Sequence, residues 1–586
     1  MTLGVPTAPP AIAPLPAARR AILPPLGTLP TIACLIAGLV VPVSVFFLYS
    51  FWEARLFQLV RTWTLDRYAE VIQDALYRGL IVDTLLLAFS VAVIVSLVAY
   101  AGAYAMRFGL GPRRRTILLL IVASALASYL VRIYSWKAIL SPNGVFNWAA
   151  GALGLIEEPL NLLGRFGVTI TLVHILLPVA LLPIYAGMQS VSPDVLRAAR
   201  DLGAGPVQTF FRVTLPLTGR GLTTGFLLAF ILSAGDYVTP QLVGGKGSLM
   251  VGRVIYDQFG ITGNFPLASA LSFSLILGAA AFFAGLYAAV RVIAFVAGRL
   301  ATPGARALAA IRLPSLPDGP RRVPWSRIVV GAMLVFLYFP LVLVVVLSFN
   351  DLPIASFPFR GVTLRWYADI FADSSIRRAF ATSIQVAVVV ALLSCLIAVP
   401  GAFAAVRRSF TLKPGYLAAV LLPISLPGVV LGFSILSVVK YLEWSPSLYA
   451  VVLGQVTYSF PFVMLIMMAA LHGFDRKVEE AGRDLGCTRR GTLRRVTMPI
   501  LLPVVAGAAI IVFAISMDEF IITNFLVGSD PTLPPVIWSI MNRRGIPPTV
   551  NAIATILIVL SLVLVVSVTA VLERNARRRA LAAGAT

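Results

Sequence analysis

The chain has 586 residues, of which 59% are hydrophobic and 12% charged, with a formal net charge of +23. A soluble domain carries about a quarter charged residues, so this composition excludes a soluble enzyme, a secreted disulfide scaffold and a disordered chain. Three widely separated cysteines (Cys34, Cys395, Cys487) and two histidines (His174, His472) build neither a disulfide framework nor a metal centre.

Residues 1–28 are rich in Pro and Ala, carry Arg19 and Arg20, and read as a cytoplasmic tail. The first apolar run is too long for the core of a cleavable signal. About twelve apolar stretches follow, at 29–51, 80–105, 116–136, 167–187, 221–243, 266–290, 328–349, 380–405, 415–438, 448–471, 501–526 and 549–572. Each is long enough to cross ~30 Å of hydrocarbon as a helix. Between the sixth and seventh, Pro303, Pro314, Pro317 and Pro320 with several arginines mark 299–326 as a linker. Residues 576–586 form a second tail. The expected fold is an all-α membrane protein with about twelve transmembrane helices.

Charge sets the orientation. With the N-terminus in the cytoplasm and the spans alternating, the cytoplasmic segments hold 31 of the 47 Lys and Arg and 8 of the 24 Asp and Glu. The whole positive excess lies on one side, as the positive-inside rule requires. Membrane orientation therefore accounts for the basic charge, and no nucleic acid is implied. The expected place is the bacterial inner membrane, multi-pass, with both termini cytoplasmic.

The chain repeats itself. Arg200-Asp201-Leu202-Gly203 recurs at Arg483-Asp484-Leu485-Gly486, and Arg212-Val213-Thr214-Leu215-Pro216 recurs at Arg495-Val496-Thr497-Met498-Pro499, both at an offset of 283. Earlier, Gly102-Ala103-Tyr104-Ala105 matches Gly401-Ala402-Phe403-Ala404 at an offset of 299. The offsets differ by 16, which places an insertion in the first half; the outer loop 137–166 is much longer than its counterpart 439–447. Six spans per copy is an even number, so 29–298 and 327–575 are parallel six-helix repeats, not inverted ones.

The loop between the fourth and fifth spans of each copy is the strongest signal. Ser192 suits a helix N-cap, Pro193 the first helical position and Gly203 a left-handed stop. Val195, Ala198, Ala199 and Leu202 form an apolar stripe, and Val478, Ala481, Gly482 and Leu485 repeat it. A second short helix is expected to end near Pro216 or Pro499. Small residues in the middle of the stripe favour close approach by a protein partner over lipid.

Glu480-Ala481-Gly482 with Gly486 and Pro499 resembles the EAA loop of ABC-importer permeases, and Ala198-Ala199 with Gly203 and Pro216 is similar, although Arg197 replaces the usual acid. The resemblance spans about 31–575. Ser233–Pro240 and Ile255–Phe259 look like one permease of spermidine/putrescine-type importers, and Ser516–Thr523 with Asn542–Ile546 look like its partner. The resemblance implies that each loop docks on a separate cytoplasmic ATPase subunit, two copies in all, through Arg197, Ala198, Ala199, Asp201, Gly203 and Pro216 in the first half. In the second half Glu480, Ala481, Asp484, Gly486 and Pro499 would serve. It also implies an extracytoplasmic solute-binding protein and alternating access, with ATP and Mg held by the partner ATPase. This chain has no GxxxxGK[ST] loop; Gly244-Gly245-Lys246-Gly247 lacks the hydroxyl residue. No cofactor, metal or enzymatic activity is expected on the chain itself.

Acids at membrane depth are costly unless they face a cavity or a partner. Asp236 is placed late in the fifth span, Asp518 and Glu519 late in the eleventh, and Asp236 aligns with Glu519 at the 283 offset. These acids, with Tyr237 and Phe520, are candidates to line the path of a cationic small molecule such as a polyamine; alternatively, they cap helix ends or pair with arginines. Two other functions compete: a twelve-span secondary transporter, and an importer of the same architecture for another small solute such as iron(III) or thiamine.

Overall fold

The computed structural model describes residues 24–55, 58–245, 247–300, 324–352, 359–544 and 547–584. Most of the linker and of the N-terminal tail lie outside them. In the first half the order is α1 (Leu26–Tyr49), a hairpin of β1 (Glu53–Arg55) and β2 (Gln58–Val60), α2 (Asp66–Gln73), α3 (Ala75–Gly109), α4 (Gly111–Ala125), α5 (Tyr129–Leu140) and α6 (Val145–Ala152). It continues with α7 (Arg165–Gln189), α8 (Pro193–Asp201), α9 (Pro206–Ala234), α10 (Val238–Val243), α11 (Val251–Gly260) and α12 (Phe265–Leu300). The second half runs α13 (Pro324–Leu347), α14 (Arg365–Ala372), α15 (Ser374–Arg407), α16 (Lys413–Ser425), α17 (Gly428–Tyr441) and α18 (Leu448–His472). It ends with α19 (Arg476–Asp484), α20 (Arg489–Asp518), α21 (Thr523–Leu526), α22 (Leu533–Arg544) and α23 (Pro548–Gly584).

The repeat read from sequence is a repeat of structure. Every helix of the first half except α6 has a counterpart, and α6 lies in the long loop 137–166, where the insertion was expected. Asn147 braces that insertion, donating to the carbonyls of Ser141 and Leu160 and accepting from the Leu160 amide. Equivalent aspartates start the long helices: Asp74 accepts from the Leu76 amide and Asp373 from the Ser375 and Ile376 amides. Such caps satisfy orphan N–H groups at a helix start.

Among the described residues nine helices are long and apolar enough to cross a membrane, and two bent pairs bring the number to eleven. The described apolar part of α23, Pro548–Leu564, is shorter. In each half α3, α7 and α9, or α15, α18 and α20, form the central trio. Small residues on the buried faces, Ala88, Ala99 and Ala103 on α3 and their equivalents Ala387, Ala398 and Ala402 on α15, are fully buried. They let backbones pack closely where lipid supplies no hydrophobic drive.

Three expectations need correction. The third and ninth spans, expected as single helices over 116–136 and 415–438, are broken and bend by 88° between α4 and α5 and by 98° between α16 and α17. Pro427 explains the second bend, because the residue before a proline is pushed out of the helical region, and Leu426 is extended. The fifth and eleventh spans, expected over 221–243 and 501–526, end at Ala234 and Asp518, so Asp236 and Glu519 stand in breaks beyond the helices. The short helix after each loop does not end at Pro216 or Pro499 but runs into the span. Phe210–Thr214 and Leu493–Thr497 are π-turns at equivalent positions, and a third, Ile36–Val40, precedes Pro42. In all three the proline follows the turn by two residues. A proline ring clashes with the carbonyl four residues back in an α-helix, and the wider turn makes room for it.

The halves are interlocked by their first helices. Helix α1 packs on α15, α17 and α18 of the second half, and α13 packs on α3, α4 and α5 of the first. Hydrogen bonds follow the same exchange: Thr31 with Tyr416 at 2.7 Å, Tyr49 to the Ser437 carbonyl at 3.1 Å, and Tyr338 to the Leu120 carbonyl at 2.7 Å. Buried His174 meets the Leu337 carbonyl at 3.0 Å and packs edge-on against Trp136 and Phe336, which makes it a packed core histidine.

Candidate functional site

The two loops fold alike. Ser192 Oγ accepts from the Val195 amide, and Asp475 accepts from the Lys477 amide at the start of α19. Gly203 and Gly486 have φ of +81° and +85°. Around them Gly203 N donates to Arg200 O and Ala204 N to Ala199 O; Gly486 N donates to Arg483 O and Cys487 N to Gly482 O. This paired pattern closes a helix on a left-handed residue, where glycine carries no Cβ penalty.

Both loops present apolar surface that nothing among the described residues covers. Leu202 is 89% exposed and Leu485 87%. Val195, Ala198, Val478, Ala481 and Glu480 are exposed, Ala199 is half-buried, and Asp201, Asp484, Pro216 and Pro499 are exposed. Gly482 is the exception: it is buried, and a Cβ there would stand 3.3 Å from Val496. Arg197, which replaces the expected acid, pairs with Asp194 one turn back on the same helix.

Residues that the sequence reading passed over tie α19 to the bundle. Glu479, largely buried, accepts from Arg407 at the end of α15 (3.1 Å) and from Thr497 in the π-turn (3.0 Å). In the first half Arg107 donates instead to the Val191 carbonyl at 3.0 Å. The repeated Arg-Val-Thr was a visible signal for Thr497; the distant Arg407 gave none.

The acids converge where the halves cross, at the two bends. Asp236 Oδ1 accepts from the Val238 and Thr239 amides, and Oδ2 accepts from Thr239 Oγ1 at 2.7 Å. Glu519 does the same for Ile522 and Thr523, with Thr523 Oγ1 at 2.6 Å. Each acid therefore caps the short helix that follows its break. Tyr129, the first residue of α5, joins the sets: its hydroxyl donates to Asp236 at 2.8 Å and its amide to Asp518 Oδ2 at 2.7 Å. Asp518 Oδ1 is buried without a hydrogen-bond partner beside Ser128, and buried Arg132 lies close by. At the opposite crossing Gly235, the equivalent of Asp518, packs so tightly on Pro427 that a Cβ would stand 2.2 Å away. Tyr237 is fully buried and stacks on Tyr256 (4.9 Å); Phe520 is buried against Trp538 (5.1 Å). Tyr129, Arg132 and Gly235 were not singled out from sequence. Among the described residues no group of three or more His, Cys, Asp or Glu is placed to hold a metal.

The family described as binding-protein-dependent transport system inner membrane component matches residues 33–305 and 398–580. The chain belongs to this family. It is thus the membrane-spanning permease subunit of an ABC importer, a transport protein and not an enzyme. Among its relatives, the spermidine/putrescine transport system permease protein PotC of Escherichia coli (strain K12) is 32% identical over 237 residues, 40% of this chain and 89% of that protein. The permease protein PotB of Haemophilus influenzae is 35% identical over 214 residues, 36% of this chain and 74% of that protein. The inner membrane ABC transporter permease protein YdcU of Escherichia coli is 34% identical over 211 residues, 33% of this chain and 66% of that protein. Relatives of about half the length of this chain fit a permease whose two copies are fused. The family also removes the secondary-transporter alternative, which gave the paired loops no role.

Proposed function

We propose that the chain carries polyamines such as putrescine and spermidine, and that it works with two copies of a cytoplasmic ATPase and an extracytoplasmic binding protein. The observation that carries the reading is the pair of equivalent, uncovered loop helices, one per repeat of 29–298 and 327–575, each with an apolar tip and a glycine stop. Two such surfaces call for two equivalent partners. ATP and Mg act on those partners; their closure moves α8 and α19, and through the continuous α9 and α20 it shifts the crossing between the halves.

The cargo assignment is supported by the relatives' names and by the chemistry of the crossing, where buried Asp236 and half-buried Asp518 and Glu519 put three carboxyls near one buried guanidinium, Arg132. Asp236 and Glu519 shape the two breaks, and Tyr237 and Phe520 wall them. Asp518 caps no helix of its own, one oxygen meeting the Tyr129 amide and the other facing Ser128, so it is the acid least committed to local structure and best able to meet an ammonium group in passing. The test is uptake in a strain that depends on this importer. Asp518→Asn should cut putrescine and spermidine uptake at least tenfold while the chain still assembles with its ATPase. Undiminished uptake would remove Asp518 from the path, and a neutral or anionic native cargo would overturn the polyamine assignment while leaving the permease function intact.

A further inference from the structure

The second loop differs from the first in one respect that docking does not explain. Arg489, Arg490, Arg494 and Arg495 stand at the base of α20, where the first half has Pro206, Val207, Phe211 and Arg212. Three of the four arginines therefore have no counterpart. A cavity of about 770 Å³ opens here beside the proposed docking tip: Leu485 and Gly486 form its edge on that side, and Cys487, Arg490, Arg494 and Arg495 line the rest. None of the four arginines pairs with a carboxylate among the described residues. Orientation alone asks for positive charge somewhere on this side, in either half. It does not ask for several guanidinium groups around one concavity.

We propose that this cavity binds the phosphate headgroup of an anionic phospholipid of the cytoplasmic leaflet. Guanidinium groups match phosphate oxygens in a planar, two-bonded geometry, and juxtamembrane basic clusters attract anionic headgroups. A free phosphate ion has the same chemistry; the span above the cavity decides for lipid. Arg495, Pro499, Leu502 and Ala506 are all exposed and fall on one stripe of α20. The stripe runs from the arginines into the apolar span, so a headgroup in the cavity has a surface along which its acyl chains lie. The placement uses the orientation read from charge and is independent of the cargo.

The test uses the full chain in detergent, titrated with dioleoylphosphatidylglycerol or dioleoylphosphatidylcholine, with bound lipid counted by native mass spectrometry. The variant is Arg490→Gln with Arg494→Gln and Arg495→Gln, and the control is Arg212→Gln with Arg220→Gln in the first half. These side chains are exposed, so folding should survive; thermal stability checks it. The wild type and the control should retain phosphatidylglycerol at least tenfold better than phosphatidylcholine, and the triple variant should lose that preference. A second readout needs no variant: phosphatidylglycerol, and not phosphatidylcholine, should slow maleimide modification of Cys487, followed on its own peptide. Equal retention of phosphatidylglycerol by the triple variant and the control would overturn the site. Equal protection of Cys487 by millimolar inorganic phosphate would overturn the lipid assignment in favour of a free ion. Loss of the ATPase subunit from the triple variant with lipid retention unchanged would reassign the arginines to that partner.

Discussion

Glu479 ties the second loop helix to the bundle at two points. Its carboxylate accepts from Arg407 on α15 and from Thr497 at the root of α20, so under the proposed coupling a displacement of α19 would reach two spans at once. At the 299 and 283 offsets the first half has Phe108 and Leu196 in place of Arg407 and Glu479. Removing one partner of a buried polar set leaves the others unsatisfied, whereas replacing both by apolar groups can be nearly neutral. Glu479→Leu should therefore destabilise the chain by about 1–3 kcal/mol. The double change Arg407→Phe with Glu479→Leu, which copies the first half, should recover most of that loss. Thermal unfolding of the purified variants measures both; a double variant no more stable than the single one would show that the pair is not a unit. The acids tell a related story about what a sequence discloses. Their equivalence was visible as an offset. Their use as caps was legible only as the alternative to a place in the path, because a cap is made by the amides of Val238, Thr239, Ile522 and Thr523, and those carry no sequence signature that would have decided it.

At the scale of elements, the loop helices were the most legible part of the chain. Caps, stops and apolar spacing are local, and each of them formed as expected: Ser192, Gly203 and Gly486 occupy the cap and stop positions their chemistry suits. The spans were less legible where their course depends on contacts far along the chain. Pro427 announces the second bend. The first bend has Ser128 in its place, and there Tyr129 is held by Asp518, which lies 389 residues away. Prolines also misled: Pro216 and Pro499 read as stops, yet a preceding π-turn lets the helix pass, so each loop is rigidly continuous with its span. Coupling should then hinge on the glycine stop. Proline at Gly486 cannot adopt a φ of +85° and loses the bond to Arg483 O. Alanine there meets no neighbour and costs about 1–2 kcal/mol of backbone strain. Gly486→Pro should thus cut uptake per ATP hydrolysed at least tenfold in reconstituted vesicles, and Gly486→Ala should cost less than threefold. Equal effects would mean that the stop's geometry is not what transmits the motion.

The whole molecule is a duplication closed on itself by an exchange of first helices. The duplication was legible because both halves kept short, charged loop motifs at a constant offset. The exchange was not, because α1 and α13 are uniformly apolar and their choice of neighbour depends on shape: a Cβ on Gly38 would stand 1.8 Å from Thr457 Oγ1, and one on Gly102 would stand 2.7 Å from the Met333 sulfur. This close fit between halves has a consequence for the linker. If α1 is held by α15, α17 and α18, and α13 by α3, α4 and α5, the covalent connection adds little beyond raising the local concentration of one half around the other. Relatives of about half this length already show that the module exists as a separate chain. A break between Ala310 and Ile311, with the two pieces expressed together, should therefore give halves that co-purify through a tag on one of them and that restore uptake in the dependent strain. Removing residues 24–49 from the first piece should abolish co-purification, since it strips the Thr31–Tyr416 and Tyr49–Ser437 contacts along with the helix. If the split halves separated while α1 was intact, the interlock would be too weak to hold the molecule, and the linker would be the element that joins it.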